Sequence, residues 1–289
     1  MQPAAYPAGA VGAGEGPVSG SPGTTVPVRP LSFRELLDTP FALIQANIRV
    51  LLGGMLVGLV AGEVLVVAIT GGVSHLNDGG DGATALGAIV STVVVAWILR
   101  FWLRATTVTF GLAGVNGASI GWRGAAAGFV ANAGPLLVFQ LLFTLVGVLV
   151  LTVSSLLIVT IVPGTAWLGW LRSKRFLTVP VIVAESVGHT QAVARSTLLV
   201  AGTEWAITGL WLCHRLLLLV LCVPLIGIPW LLADLTGTHR WPVIVLLTGA
   251  VLLIAMFAEV IEASTRVVVY IDRRCRREGV DISVPGAAR

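Results

Sequence analysis

Long apolar segments separated by short polar ones set the pattern of this chain. A helix needs about 20 predominantly apolar residues to cross the ~30 Å hydrocarbon layer of a membrane. Segments of this kind predict six spans, at about 50–70, 84–103, 136–154, 158–178, 214–233 and 242–262. The third and fourth share one uncharged stretch, 136–171, which would be roughly 54 Å long as a single helix. We therefore place a turn between Ser154 and Gly164.

Stretches that mix small, apolar and charged residues precede the first, third and fifth spans. Each begins with a serine, at Ser32, Ser119 or Ser186. This mixture is typical of a helix that lies in the membrane interface, and serine is a good N-cap because its hydroxyl accepts from a free amide. The pattern predicts three cytoplasmic interfacial helices, each followed by a hairpin of two spans. Alternatively, these are ordinary cytoplasmic loops, which often look amphipathic.

The two ends of the chain differ from its middle. Residues 1–30 are rich in Gly, Pro and Ala and can bury almost no apolar surface, so we predict a disordered cytoplasmic tail. Residues 31–272 form the predicted six-helix membrane domain, and 273–289 a basic cytoplasmic C-terminal tail. The predicted fold class is all-α, a polytopic integral membrane protein.

Composition agrees with a membrane protein and argues against a soluble one. Hydrophobic residues make up 56% of the chain and charged residues 11%, with a mean hydropathy of +0.95. A soluble domain carries about 25% charged residues.

The net charge of +4 would suggest nucleic acid in a soluble protein, but here the basic residues lie at helix ends, so we expect no nucleic-acid partner. The three cysteines have no CxxC spacing, and neither a disulfide framework nor a metal site is predicted.

The distribution of basic residues predicts an orientation. Every Lys and Arg except Arg240 falls on one side of the six spans. Because cytoplasmic loops are enriched in these residues, both termini are expected inside the cell. We expect a multi-pass protein of the cell membrane, in contact with the lipid bilayer and, through its basic side, with the anionic lipids of the inner leaflet.

Three glycines and a glutamate distinguish the first span. Gly54, Gly58 and Gly62 recur every fourth residue, so they share one helix face that another helix can approach closely. Glu63 follows, at about 20 Å from the cytoplasmic end of the span. A carboxylate at that depth is costly unless it is protonated, hydrogen-bonded or open to water. It is either part of a proton or cation relay or, as we favour, a neutral carboxyl bonded to a neighbouring helix.

A second group of intramembrane charges lies near the inner boundary. Glu259 and Glu262 are three residues apart on one helix face, and Arg215 lies at a similar depth in the preceding span. We predict an ion pair between the fifth and sixth helices, since intramembrane charges usually pair. His214 could titrate near neutral pH, although a lone histidine is weak evidence for a site.

The other basic residues lie at the inner ends of spans and in the closing segment. Arg100 and Arg104 are interpreted as anchors whose charged ends extend to the inner leaflet. Contacts with the inner leaflet or with a partner protein are predicted for Arg172, Lys174, Arg175, Arg273, Arg274, Arg276 and Arg277.

Three segments resemble a family of mainly actinobacterial membrane proteins labelled glycerophosphoryl diester phosphodiesterase membrane domain. They are RPLSFRELLD at 29–38, TVPVIVAE at 178–185 leading into AVARS at 192–196, and YIDRRCRREG at 270–279 followed by VDI. The resemblance implies a six-helix membrane domain of unassigned function. It implies no catalytic domain, because the chain has no room for the phosphodiesterase barrel.

Enzyme motifs have no credible candidate in this sequence. A Ser-His-Asp set, HExxH, a Walker loop and paired carboxylates in a polar cleft are not recognisable, so we expect no catalysis and no cofactor. The role predicted is a non-enzymatic scaffold or accessory subunit whose cytoplasmic face binds a partner protein. The alternative is a small-solute or lipid transporter with a cavity near Glu63. A metal-dependent hydrolase is disfavoured.

Overall fold

The structure is a computed structural model that describes residues 27, 29–116, 118, 120–156, 158–236 and 241–279. The described residues fold into helices and no strand. Most of the predicted N-terminal tail (1–26 and 28), the loop 237–240 with Arg240, and residues 280–289 lie outside this description. The helices are α1 Phe33–Ala46, α2 Ile48–Leu76, α3 Asp81–Val115, α4 Trp122–Ala131, α5 Ala133–Ser155, the 3-10 turn Ile158–Thr160, α6 Ile161–Ser173, α7 Thr178–Glu185, α8 His189–Val200, α9 Glu204–Thr236 and α10 Trp241–Glu278.

Five of the described helices are long and apolar enough to cross a membrane. They are α2, α3, α5, α9 and α10, and they contain five of the six predicted spans. Between 6% and 39% of the most apolar window of each helix is buried inside the protein. Side chains such as Val57, Val64 and Leu145 are about two-thirds exposed. Aliphatic surface on this scale needs an apolar solvent, so by the length and composition of its helices the chain is a multi-pass membrane protein.

The predicted fourth span, 158–178, is not one helix. It contains the 3-10 turn and α6, then a turn at 174–177, and only the first residue of α7. With 13 residues, α6 is roughly 20 Å long, too short to cross a membrane alone. A contact distant in sequence fixes the break, because the Ser196 hydroxyl accepts from the Leu177 amide and donates to the Lys174 carbonyl, both at 3.1 Å.

The hairpin between α5 and α6 lies where the sequence predicts it. The third span ends at Ser155 and the return leg begins at Ile161. Ser154 packs directly on Gly164, where a Cβ would lie 2.1 Å from the serine Oγ. Only glycine fits there, and this close contact brings the two legs together.

Of the two predicted serine caps that lie among the described residues, one forms. Ser32 caps α1 in a capping box, since its Oγ accepts from the Glu35 amide at 3.3 Å and the Glu35 carboxylate accepts from its amide at 2.8 Å. These bonds and the neighbouring Arg29 lower the pKa of Glu35 to about 2. Ser186 instead ends α7 in the left-handed conformation (φ 51°), and α8 begins after Gly188. Ser119 lies outside the described residues, and α4 begins after Gly121.

The tightest packing lies at the basic end of the bundle. Every residue from 258 to 273 of α10 is buried, and so are residues 103–108 of α3. These segments pack against α1, α7, α8 and α9 in a core that includes Leu31, Leu36, Val108, Leu177 and Tyr270. The halves of the long helices away from this end expose apolar faces, whereas the basic end is packed like a soluble domain.

Candidate functional site

A buried carboxylate joins three helices near the basic end of the bundle. Glu259 of α10 has no exposed surface and accepts from Arg104 Nε and Nη2 of α3 at 2.5 and 2.9 Å. It also accepts from Arg100 Nε at 2.8 Å. Arg104, 2% exposed, donates through Nη1 to Gln140 of α5 at 2.5 Å. Charge-assisted bonds of this kind are about twice as strong as neutral ones, so α3, α5 and α10 are firmly connected at this level.

A second carboxylate adds α9 to the same network. Glu262, one turn from Glu259, pairs with Arg215 of α9 and with Arg266 Nη2 at 2.5 Å. The predicted pair between Arg215 and Glu262 is therefore present, whereas Glu259 pairs with arginines of α3 instead of with Arg215. The two carboxylates are three positions apart on one broad face, about 60° from each other around the helix axis, and this offset lets Glu259 reach α3 while Glu262 reaches α9.

His214 lies beside this network without joining it. The ring is 6% exposed and meets Phe41 of α1 edge-on at 5.9 Å between centroids. Its Nε2 is buried and has no hydrogen-bond partner among the described residues. The histidine therefore packs between α1 and α9 and, among the described residues, forms no ion pair with either carboxylate.

Aromatic rings surround the arginines of the network. The guanidinium carbon of Arg104 lies 5.9 and 5.2 Å from the ring centroids of Phe139 and Phe143, and that of Arg266 lies 5.6 Å from each. Such contacts are favourable because the ring face is negative, and they gain strength away from water. Sequence reasoning treated Arg104 as a lipid anchor and missed Arg266 and Gln140. The sequence did contain one signal for a buried charge network, because two glutamates and several arginines lie at one depth in the predicted spans.

Cations exceed carboxylates at this level. Five guanidinium groups surround two carboxylates, which leaves an excess of three positive charges among the described residues; the cations are Arg100, Arg104, Arg172, Arg215 and Arg266. Nε and Nη1 of Arg266 are buried without a hydrogen-bond partner in the described part of the chain. A buried N–H donor without an acceptor lowers the stability of a protein by ~1–3 kcal/mol. The network therefore has fewer acceptors than its donors need.

The three basic residues at the end of α6 do not share one environment. Arg172 points inward, with its guanidinium carbon 4.2 Å from the Phe143 centroid and 5.6 Å from that of Trp211. Lys174 Nζ lies 3.7 Å from the Trp170 ring centroid, and Arg175 is exposed. The three line a cavity of about 310 Å³. Only Arg175 is placed as a simple inner-leaflet contact would be.

Glu63 lies on a separate cavity about 580 Å³ in volume between α2, α9 and α10. Its Oε1 accepts from the Thr248 hydroxyl at 2.7 Å, and its buried Oε2 has no partner among the described residues. The rest of the lining is aliphatic; it includes Leu59, Val64, Ile228, Leu246 and Leu253, with Pro224 and Pro229 of α9. The structure thus brings one hydroxyl to the carboxyl, and the remaining wall is apolar.

The glycine face of α2 receives large side chains. A Cβ on Gly54 would lie 2.0 Å from the Trp122 ring of α4. Gly58 and Gly62 lie against α3 and α10, where a Cβ would be 3.3 and 3.0 Å from side-chain atoms of Leu99. The Trp122 indole donates to the Val50 carbonyl at 3.0 Å. All three glycines are buried, and the close neighbours are side chains instead of a helix backbone.

The closing arginines belong to α10, which continues past the predicted boundary at 273. Arg276 donates to Asp272 at 3.0 Å and to the Leu31 carbonyl at 2.6 Å, while Asp272 accepts from the Leu31 amide at 2.7 Å. Arg273 is buried against Asp272. Arg274 pairs with Glu278 at 2.8 Å, and Arg277 donates to the Ala201 carbonyl. These residues hold the segment before α1 and the end of α8 onto the end of α10.

Comparison of the chain with protein-family models, with curated proteins and with solved structures gives no match. Among the described residues no three His, Cys, Asp or Glu side chains come together as a metal site would require. The geometry of the charge network and of the two cavities is therefore the basis for proposing a function.

Proposed function

We propose that this protein is a non-enzymatic membrane scaffold or accessory subunit whose inner face binds an acidic protein partner or anionic lipid. The observation that supports this is a rigid core at the basic end of the bundle, ringed by exposed arginines. They lie at the ends of five helices and are Arg34, Arg49, Arg123, Arg175, Arg276 and Arg277. Ion pairs and one hydrogen bond to Gln140 join four helices and immobilise the core, and such an arrangement suits a platform better than a pathway that must open and close.

The proposal includes six traversals of the cell membrane with both termini inside. In this arrangement α6 is a shortened return leg, since it packs along the outer part of α5 and brings Arg172 and Arg175 back to the basic end. Cysteine labelling tests this orientation. Arg34 and Asp78 are each changed to cysteine in a protein whose native cysteines have been replaced by alanine. Asp78 precedes α3 at the opposite end and should react with an impermeant maleimide on intact cells, whereas Arg34 should react only after permeabilisation. The reverse result would contradict the orientation.

Chemical crosslinking in native membranes, followed by mass spectrometry, tests the scaffold. A variant with Arg34, Arg49 and Arg123 all changed to Gln should lose partner crosslinks at the inner face. These residues suit the test because all three are exposed and, within the described part of the chain, their one ion pair is the 3.9 Å contact between Arg34 and Asp38. Asp78→Asn, at the opposite end, is the control and should leave the partners unchanged. An identical partner set for the triple variant and the wild type would exclude docking through this surface.

The resemblance to the actinobacterial family remains a prediction, and the structure suggests what it reflects. The segments that carry it meet at the inner end, where Tyr270 donates to Glu185 at 3.2 Å and Arg195 pairs with both Glu185 and Glu278. The Asp272 bond to Leu31 joins the remaining segment to them. We propose that the shared pattern specifies this inner core, not a catalytic activity.

The cavity at Glu63 supports transport as a second candidate function. Its aliphatic wall favours an acyl chain over a small polar solute, because a polar solute needs groups that replace its hydration. A lipid-flipping assay in vesicles with fluorescent phosphatidylglycerol tests this candidate. Filling the cavity with Leu246→Trp should slow flipping, whereas Leu86→Trp on the exposed face of α3 should not. Equal rates for protein-containing and empty vesicles would exclude this activity for that lipid.

A further inference from the structure

The cavity beside the break between α6 and α7 has the chemistry of an anion site. Its volume of about 310 Å³ is many times the ~10–15 Å³ that one water needs. Three cations line it, together with Phe143, Val146 and Leu171, and no carboxylate belongs to its described lining. We propose that it binds the phosphate group of an anionic amphiphile through Arg172 and Lys174, with Arg175 at its edge. This proposal does not depend on the scaffold function.

Arg172 is available to a ligand because the nearby carboxylates are already engaged. Glu262 is held by Arg215 and Arg266, and Glu259 by two arginines of α3. Arg172 forms no ion pair within the described residues, and its Nε is buried without a hydrogen-bond partner there. The rings of Phe143 and Trp211 attract its guanidinium but carry no net charge that could neutralise it. A bound anion would neutralise part of the excess positive charge of the network.

The fold places these cations before any ligand arrives. The Ser196 hydroxyl fixes the turn that carries Lys174, and the Trp170 ring holds the ammonium at 3.7 Å. Gly147 of α5 makes room for Arg172, since a Cβ there would lie 2.7 Å from its Nη2. Binding therefore orders few new side-chain rotamers, which reduces the entropy cost of association.

A phosphate group matches the donors better than a single carboxylate does. Guanidinium presents a planar fork of N–H groups that binds phosphate oxygens in pairs, and an ammonium adds a point charge beside it. The phosphate could come from a lipid headgroup or from free phosphate in solution. The lipid is favoured by the apolar wall, because Val146 adjoins Leu145 and Leu149, which are 65% and 62% exposed on the same helix. An acyl chain could follow this face while its phosphate remains at the cations.

Binding is measured on the full-length protein in phosphatidylcholine nanodiscs. One arm adds phosphatidylglycerol to the lipid, and the other adds inorganic phosphate to phosphatidylcholine discs. The readouts are the midpoint of thermal unfolding and the retained phosphatidylglycerol counted by native mass spectrometry after delipidation. Wild type should be stabilised and should retain phosphatidylglycerol. Stabilisation by inorganic phosphate alone would assign the site to free phosphate, and no response in either arm would overturn the proposal.

Variants separate this site from general attraction to an anionic surface. Arg172→Gln with Lys174→Gln should weaken phosphatidylglycerol binding about tenfold or more, since each lost charge-assisted contact is worth that much. Arg172→Lys should retain part of the affinity, and Arg29→Gln, an exposed base that pairs with Glu35 outside the proposed binding face, should retain all of it. If the double variant does not fold, Arg175→Gln with Lys174→Gln is used instead, with a severalfold loss expected. Wild-type affinity in the folded variant would overturn the proposal.

Discussion

Glu259→Gln is the substitution for which the charge network makes the sharpest prediction. Glutamine keeps the shape of the side chain but removes the one carboxylate among the described residues that pairs with Arg100 and Arg104. The Arg100 side chain is 30% exposed and can turn towards water, whereas Arg104 is 3% exposed and cannot. Removing one partner of a buried pair costs ~3–5 kcal/mol, a large share of the ~5–15 kcal/mol that stabilises a typical protein.

Because cations exceed carboxylates in the network, removing a glutamate and removing an arginine should not lower the stability equally. Glu259→Gln raises the excess positive charge, whereas Arg104→Gln lowers it and leaves the glutamate paired with Arg100. We therefore expect the loss of stability to be larger for the glutamate variant. In a network where charges balanced, removal of either partner would cost about the same.

Thermal unfolding in nanodiscs measures both variants beside wild type. For Glu259→Gln the midpoint should fall by about 10 °C, because 1 kcal/mol corresponds to ~2–4 °C for a domain of this size. Asp38→Asn is the control, since this carboxylate is exposed and its one contact is 3.9 Å long. The reasoning is refuted if Arg104→Gln is at least as destabilising as Glu259→Gln.

Three further predictions concern packing and local charge. Gly54→Ala should destabilise the protein by about 1–3 kcal/mol in thermal unfolding, because the new methyl overlaps the Trp122 ring, whereas Gly53→Ala has open space and should be neutral or slightly stabilising. Glu35 has a pKa near 2 in the folded state, so its contribution to α1 should be complete above the unfolded pKa of about 4.5 and disappear as the pH falls towards 2. Hydrogen exchange of the first turn of α1 should accelerate over that window, and Glu35→Ala should abolish the pH dependence. Asp272→Ala should raise proteolysis before α1, because it removes the acceptor that fixes that segment to α10; unchanged cleavage would show that the bond contributes nothing.

The helical spans could be predicted from the sequence because a membrane imposes a length on apolar segments. The turn near Ser154 follows from the same rule, since 36 uncharged residues exceed one bilayer crossing. The break at 174–177 could not be predicted, because a hydroxyl from α8 fixes it, and the local bases Arg172, Lys174 and Arg175 look the same at the end of a complete span.

The buried network was only partly predictable for a related reason. A base at the end of an apolar segment looks the same whether its charge reaches lipid headgroups or a carboxylate on another helix. Arg104 and Glu259 are 155 positions apart, and only the packing of α3 against α10 distinguishes the two cases. The capping box of Ser32 and Glu35 was predictable in part because its partners are three residues apart.

The pairing of α3 with α10 has a consequence for biogenesis. Arg104 enters the membrane long before Glu259 leaves the ribosome, so during synthesis it has no carboxylate from α10 to bind. The early helices must then keep this cation near water or headgroups, and the inner core can close only after α10 is inserted. A chain interrupted before residue 259 would expose unpaired arginines within its membrane domain, a defect that membrane quality-control proteases could recognise.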